Sequence, residues 1–358
     1  MRVMNSIPLS VSVLPYAHEG PEKLFQIILR NENMAIELTN IGCAITAIHT
    51  PDKRNNVANI VAGFSDLRQY CNNPDYLGCV VGRFANRIAN GRFRFNGTDY
   101  QLTINNGDNH LHGGIVGFGR RVWDIFETIE TMDHCGIVFS YCSPDGEEGY
   151  PGNLFVTVKY LLDKNNRILI NYRAVTDKST PVNITNHSYF NLTGFKDPAI
   201  LHHQLCIQAG AFTVKSDQNT STGEIASVQG TNLDFREAKC IGENIDSFPV
   251  DRGFDHNFIL KFQRDKNMIR AADLLEPCSG RSLTVYTDQP AIQLYTANFW
   301  AGTFVGSQGV AYKKHGGVAL ETQAWPDSPN HSHFPDAILH PGEVYETTTI
   351  FEFGVRKK

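Results

Sequence analysis

The stretch Thr185-Asn186-His187-Ser188-Tyr189-Phe190-Asn191-Leu192 sets an imidazole among an asparagine, a serine and two aromatic rings. Imidazole has an unperturbed pKa of ~6.5, so it can give or take a proton at neutral pH. Aromatic rings beside polar groups suit a ligand with one apolar face and one hydroxyl-rich face, such as a sugar ring. Alone, His187 reads first as a buried, hydrogen-bonded structural histidine. A proton-transfer role requires a partner.

Glu321 is the first candidate for that partner. It follows the apolar run Gly317-Val318-Ala319-Leu320, where a solvated acid is out of place. Buried carboxylates have either an ionic partner or a chemical task. An ion pair with an arginine is the structural reading, and acid–base work is the functional one.

Four further clusters carry polar chemistry. Gly78 to Gly91 frames Arg83, Asn86, Arg87 and Asn90 with glycines that permit close turns. Asn105 to Gly114 holds His110 and His112, whose alternate spacing puts both rings on one face of a strand. Gly253-Phe254-Asp255-His256-Asn257-Phe258 sets a carboxylate in a turn feeding a short strand. Gln289 to Tyr295 contains Gln293. His331 and His333 repeat the His-x-His spacing. Neither histidine pair is completed by nearby residues into a ligand set, so no bound metal is expected.

The elements that would position these groups read as strands. Phe25 to Leu29 and Met34 to Leu38 are β-type runs joined by a turn at Arg30-Asn31-Glu32-Asn33. Leu154, Val156, Val158, Tyr160 and Leu162 share one face of a period-two pattern. A hairpin turn at Asp163-Lys164-Asn165-Asn166 leads into Arg167 to Val175. Val182 to Thr185 is strand-like ahead of His187. Tyr345, Thr347, Thr349, Phe351 and Phe353 alternate with Glu346, Thr348, Ile350 and Glu352. Such alternation marks half-buried antiparallel strands. No long segment has a helical period with paired caps, and Ser65 to Tyr70 is at most a short helix. No linker or repeat divides the chain. The pattern predicts an all-β fold, two large antiparallel sheets packed as one domain over residues 1–358.

Composition narrows the class. The chain has 358 residues, 41% hydrophobic, with a net charge of -5. No basic stripe tracks phosphates, so nucleic acid is not an expected partner. No apolar run reaches membrane-spanning length. Ile7 to Leu14 is interrupted by Pro8, Ser10 and Ser12, with only Arg2 as a basic residue before it, which makes a poor signal peptide. Cysteines at 43, 71, 79, 135, 142, 206, 240 and 278 form no CxxC pair, which argues against a zinc site or a disulfide scaffold. They fit a reducing cytoplasm, each as a small buried hydrophobe.

Taken together, the ordered motifs resemble the aldose 1-epimerases, also called galactose mutarotases. The marks are Gly82-Arg83-x-x-Asn86-Arg87-Ile88, Asn109-x-Leu111-His112-Gly113-Gly114 and Asp145-Gly146-Glu147-Glu148-Gly149-Tyr150-Pro151-Gly152. They continue with Thr185-Asn186-His187-x-Tyr189-Phe190-Asn191-Leu192, Asp255-His256-Asn257, Gln293-Leu294-Tyr295 and Leu320-Glu321-Thr322-Gln323. The resemblance runs from about Phe25 to Phe353. It implies a single-domain β-supersandwich of the galactose mutarotase type, acting on a monosaccharide without metal or organic cofactor. It implies His187 as general acid, Glu321 as general base, and Asn86, Arg87, His112, Asp255 and Gln293 as sugar-binding residues.

The chemistry agrees with that implication. Interconverting the α and β anomers of an aldose opens the hemiacetal and recloses it on the other face. Opening removes a proton from the anomeric hydroxyl and delivers one to the ring oxygen, which a carboxylate and an imidazolium can do together. The expected starting state has Glu321 ionised and His187 protonated, with Asp255 raising the charged fraction of His187. Two other readings use the same residues. A glycoside hydrolase would set Asp255 and Glu321 across a scissile bond. A non-catalytic sugar-binding module would keep the aromatic and arginine contacts without needing both His187 and Glu321. Arg83 and Arg87 could in principle contact a phosphate.

Overall fold

Period-two burial builds nearly everything in the computed structural model, which describes residues 9–261 and 268–356. The start of the Ile7 to Leu14 run and Arg2 lie outside the described residues. Leu154, Val156, Val158, Tyr160 and Leu162 are all fully buried, as their alternation requires. Each such side chain contributes ~1.5–3 kcal/mol relative to exposure. Their strand, Leu154–Asp163, pairs antiparallel with Arg167–Thr176 through the expected hairpin. The Asp163 carboxylate closes that turn by accepting from Asn165 N at 2.8 Å and Arg167 N at 3.0 Å. The first hairpin forms with strands Glu22–Arg30 and Ala35–Thr39. Its turn lies one residue later than expected. Asn31 Oδ1 accepts from Asn33 N and Met34 N, each at 2.8 Å, and so fixes its position.

Nine antiparallel strands form the largest sheet. In spatial order they are Asp124–Glu130, His134–Ser143, Leu154–Asp163, Arg167–Thr176, Tyr345–Val355, Arg281–Thr287, Ile269–Leu275, Gln204–Ile207 and Lys239–Cys240. A six-stranded sheet runs Tyr189–Phe190, Val318–Gln323, Ala291–Tyr295, Asp255–Leu260, Ala209–Lys215 and Ser221–Ser227. A five-stranded sheet between Ser10 and Asn59 joins them and was not distinguished in the sequence. One apolar cluster draws on all three, with Ile27 and Ile36, Phe139 and Val156, and Phe258 and Leu320 among its members. Among the described residues the helical pieces are short 3-10 turns. Leu67–Asn72 stands where Ser65 to Tyr70 was expected. None is long and apolar enough to cross a membrane.

Two local features differ from expectation. The run before His187 is not a continuous strand. Thr185–Asn186 pairs with Val80–Val81 and Tyr189–Phe190 pairs with Val318 and Ala319, so the chain changes sheets at His187. All eight cysteines are unpaired, but only Cys43, Cys79 and Cys135 are buried, and Cys142 and Cys278 are exposed. The picture of each as a small buried hydrophobe therefore holds for three of them.

Register in the six-stranded sheet builds the site. Asn257 stands opposite Gln293, and Gln293 opposite Glu321, so the three form one row across neighbouring strands. Side chains two residues apart share a face, so Asp255, Tyr295 and Gln323 flank that row. Phe258, Ile292, Leu294 and Leu320 occupy the opposite face within the core. The sheet thus presents a buried polar face backed by an apolar one.

Candidate active site

All seven residues expected at the site line one cavity of about 200 Å³: Glu321, His187, Asn86, Arg87, His112, Asp255 and Gln293. It is smaller than the ~300–1,000 Å³ of drug-sized pockets and suits a monosaccharide-sized ligand. His187 Nε2 lies 3.5 Å from Glu321 Oε1, with both side chains almost fully buried. His187 Nδ1 and Glu321 Oε2 are buried without hydrogen-bond partners.

Where the chain changes sheets, two main-chain bonds hold His187. Its N–H donates to Cys79 O at 2.9 Å and its carbonyl accepts from Gly78 N at 3.0 Å. Asn186 braces the same turn by donating to Gly78 O at 2.8 Å and accepting from Ser188 N at 3.0 Å. The rings of Tyr189, at 4.8 Å, and Tyr76, at 5.9 Å, pack around the imidazole. The aromatic wall expected at Tyr189 is present, and Tyr76 adds to it.

His112 and Asn86 are locked together. Asn86 N donates to His112 Nδ1, and His112 N donates to Asn86 O, both at 3.1 Å. With the Nδ1 lone pair occupied, the neutral ring carries its proton on Nε2. His112, His187 and Glu321 bring ligand-type atoms within 4.8 Å of one another. That His112 tautomer has no lone pair left for a metal, so the trio does not fit an ion and instead offers an N–H donor to a ligand oxygen. The following Gly113 has φ 83°, and a Cβ there would sit 1.8 Å from the Gly82 carbonyl oxygen, so only glycine lets the loop approach so closely.

Arg87 Nε donates to Asn106 Oδ1 at 3.0 Å, and its Nη1 lies 3.8 Å from Asp255 Oδ2. Gln293 Nε2 donates to Asp255 Oδ1 at 2.5 Å. Asn86 Oδ1 is taken by Arg87 N at 2.8 Å, so Asn86 also orders the residues beside it. Arg83 is elsewhere. It is buried and donates to Ser143 Oγ, Pro151 O, Ser143 O and Pro144 O at 2.8–3.1 Å, tying loops together rather than meeting a ligand.

Burial dominates the electrostatics. It pulls His187 down to about 4, against a smaller upward push from Asp255. It raises Glu321 well above the usual carboxylate range, and Asp255 pushes the same way. The expected order, ionised Glu321 with protonated His187, is therefore reversed: a single proton on the pair sits on Glu321 rather than on the imidazole. Asp255 does act on His187 in the expected direction, but desolvation outweighs it. Burial would raise Asp255 too, yet Lys215, Arg87, His256 and Gln293 together hold it below its ordinary value.

Several contributors escaped sequence reasoning. Lys215 donates to Asp255 O at 2.6 Å and pairs with Asp251 at 2.8 Å. Asp75 and Phe299 also line the cavity. Each is an ordinary loop or strand residue until the fold brings it in. Tyr295, inside the Gln293-Leu294-Tyr295 motif, and Asn106, inside the Asn105 to Gly114 cluster, line it too and had a readable signal.

Fold and cavity together define an all-β protein whose buried carboxylate–imidazole pair can move protons on a small hydroxyl-rich ligand. A family model for aldose 1-epimerase matches residues 26–352, and the chain belongs to that family. It is 46% identical to the galactose mutarotase of Bos taurus over 94% of this chain and 95% of that one. It is 36% identical to the aldose 1-epimerase of Escherichia coli K12 over 94% and 97%. Among solved structures, galactose 1-epimerase from Lactobacillus acidophilus superposes with a TM-score of 0.86 at 28% identity, covering 98% of this chain and 100% of that one.

Proposed function

We propose that this protein is an isomerase that interconverts the α and β anomers of a free aldose by acid–base ring opening and reclosure. The observation that carries the reading is His187 Nε2 facing Glu321 Oε1 at 3.5 Å, both buried at the wall of one cavity lined by polar side chains. In the reactive state, the Glu321 carboxylate takes the O1 proton while the His187 imidazolium gives a proton to the ring oxygen. The bond from C1 to the ring oxygen breaks and C1 becomes an aldehyde. Rotation about C1–C2 and the reverse transfers close the other anomer. Opening neutralises two buried charges, so the desolvation that disfavours the ion pair favours this step.

The Nε2–H of His112 and the Arg87 guanidinium donate to sugar hydroxyl oxygens, while Asp255 accepts from hydroxyls. Gln293 and Asn86 hold these groups in register. A neutral aldose suits the cavity better than a sugar phosphate, because Arg83 is spent on loop carbonyls and Arg87 faces Asp255. A glycoside hydrolase is not favoured by the family membership, and a non-catalytic module has no use for the buried pair. We read the chain as one domain, supported by the core shared among its sheets, and place it in the cytoplasm, supported by eight unpaired thiols.

Polarimetry of freshly dissolved α-galactose and α-glucose, with and without the protein, tests the reading. Faster decay to the same final rotation is expected. Release of a second sugar from a glycoside would instead establish the hydrolase.

A further inference from the structure

We propose that a second cavity, at the Leu192 end of the His187 segment, binds the phosphate group of a small metabolite. The cavity measures about 500 Å³ and shares no lining residue with the sugar cavity. Lys53, Arg54, Lys196 and Arg281 line it, together with Asp52, Asp197 and Glu276.

The acids there each accept from main-chain amides. Asp52 Oδ1 accepts from Arg54 N at 2.8 Å and Asn56 N at 2.9 Å. Glu276 accepts from Cys278 N at 2.8 Å and Ser279 N at 2.5 Å. Asp197 Oδ1 accepts from Ala199 N at 3.0 Å. Of the cations, Arg281 is held by main-chain carbonyls and lies in the field of Asp52 and Glu276, while Lys53, Arg54 and Lys196 are less engaged. None of the four forms an ion pair within 4.0 Å among the described residues. The hydrogen bond of Lys53 Nζ to Pro277 O, at 3.5 Å, is a long one.

Two buried groups add donors. Arg281 is 2% exposed and gives its Nε, Nη1 and Nη2 to the carbonyls of Thr50, Leu192 and Asn56 at 3.3, 3.0 and 2.8 Å. One N–H on each terminal nitrogen remains. His203 is fully buried, and its Nε2 accepts from Leu192 N at 2.9 Å, which places the ring proton on Nδ1. His203 is a lining residue of the same cavity, and its Nδ1 is buried without a hydrogen-bond partner. Four cations against three carboxylates leave the lining with an excess of positive charge and of N–H donors, which favours a ligand rich in acceptors. A phosphate supplies several acceptor oxygens and the charge that three unpaired surface cations and a buried guanidinium can hold.

The assignment stands apart from the sugar reaction, and so does its test. Calorimetric titration of the full chain with inorganic phosphate, and separately with adenosine monophosphate, is run at fixed ionic strength in chloride. Saturable one-to-one binding of both probes is expected, and it should persist with galactose present. The exposed-face variant Lys53→Ala/Lys196→Ala, with its melting temperature checked, should bind each probe at least ~10-fold more weakly, the scale of two lost charge-assisted contacts. Absence of saturable binding overturns the proposal. So does equal affinity in the double variant, displacement of the probes by galactose, or equally tight binding of acetate.

Discussion

At the scale of single residues, the carboxylate and imidazole of Glu321 and His187 exchange their expected protonation states because both are buried. Only a minority tautomer, with Glu321 ionised and His187 charged, can start the ring opening. The dependence of kcat/KM on pH should still be bell-shaped, because the active state and the resting state carry the same number of protons. The limbs change owner, however. The acid limb should follow His187, near pH 4, and the alkaline limb should follow Glu321, above the usual carboxylate range. An acid limb near the ordinary histidine value would show that the cavity does not desolvate the ring in this way. Glu321→Gln keeps shape and removes the proton acceptor, while His187→Asn removes the donor. Each should lower kcat by at least ~10² while sugar binding is largely kept. Near-normal kcat in either folded variant, measured by polarimetry, would remove that residue from the proton pathway. His187 and Glu321 were legible in the sequence because an imidazole among aromatics and an acid in an apolar strand are each anomalous. Their ionisation was not legible, because desolvation depends on what the rest of the chain stacks around them.

Elements decide how well those residues are held. The row Asn257, Gln293 and Glu321 exists because three strands pair in one register, and a one-residue slip would turn every member to the apolar face. The loop after His112 depends on a more distant brace. Glu148 accepts from Ile115 N at 3.2 Å and Val116 N at 2.9 Å, tying the Glu147-Glu148-Gly149 turn to the His112 loop. Glu148→Ala should cost about 1–3 kcal/mol of local stability and raise KM for galactose more than it lowers kcat. An unchanged KM would show that the loop keeps its place without the carboxylate. Arg87→Ala, Asp255→Ala and His112→Ala remove ligand-facing groups directly, and each should lower kcat/KM with little change in melting temperature. Full kcat/KM in all three would displace the binding shell from this cavity. Long alternating strands such as Leu154–Asp163 announced themselves by period. The two-residue strands either side of His187 carry no period at all, and Lys215 reaches Asp255 only through pairing of strands far apart in sequence.

Across the whole molecule, the same burial that tunes the site makes the fold sensitive to acid. Burial pulls His187 and His203 down to about 4 and His256 to about 3, and it also lowers His110, His112 and His315. An unfolded chain would take up protons at these rings near the ordinary value of ~6.5, while the folded chain would not. Between that value and the lowered one the unfolded state binds more protons, so stability is full above ~6.5 and is lost as pH falls toward 4. Glu321, Asp75, Asp288 and Asp327 are raised by burial and act in the opposite sense, losing their contribution as pH rises above the unfolded carboxylate value. Six lowered histidines outnumber these four carboxyls, which leaves a net proton uptake on unfolding in the mildly acidic range. One net proton corresponds to ~1.4 kcal/mol per pH unit, so unfolding free energy should fall by at least ~2 kcal/mol between pH 7 and pH 5. Urea unfolding at the two pH values measures this directly. A flat or rising stability across that interval would mean that the buried rings find protons, or acceptors, in the folded protein.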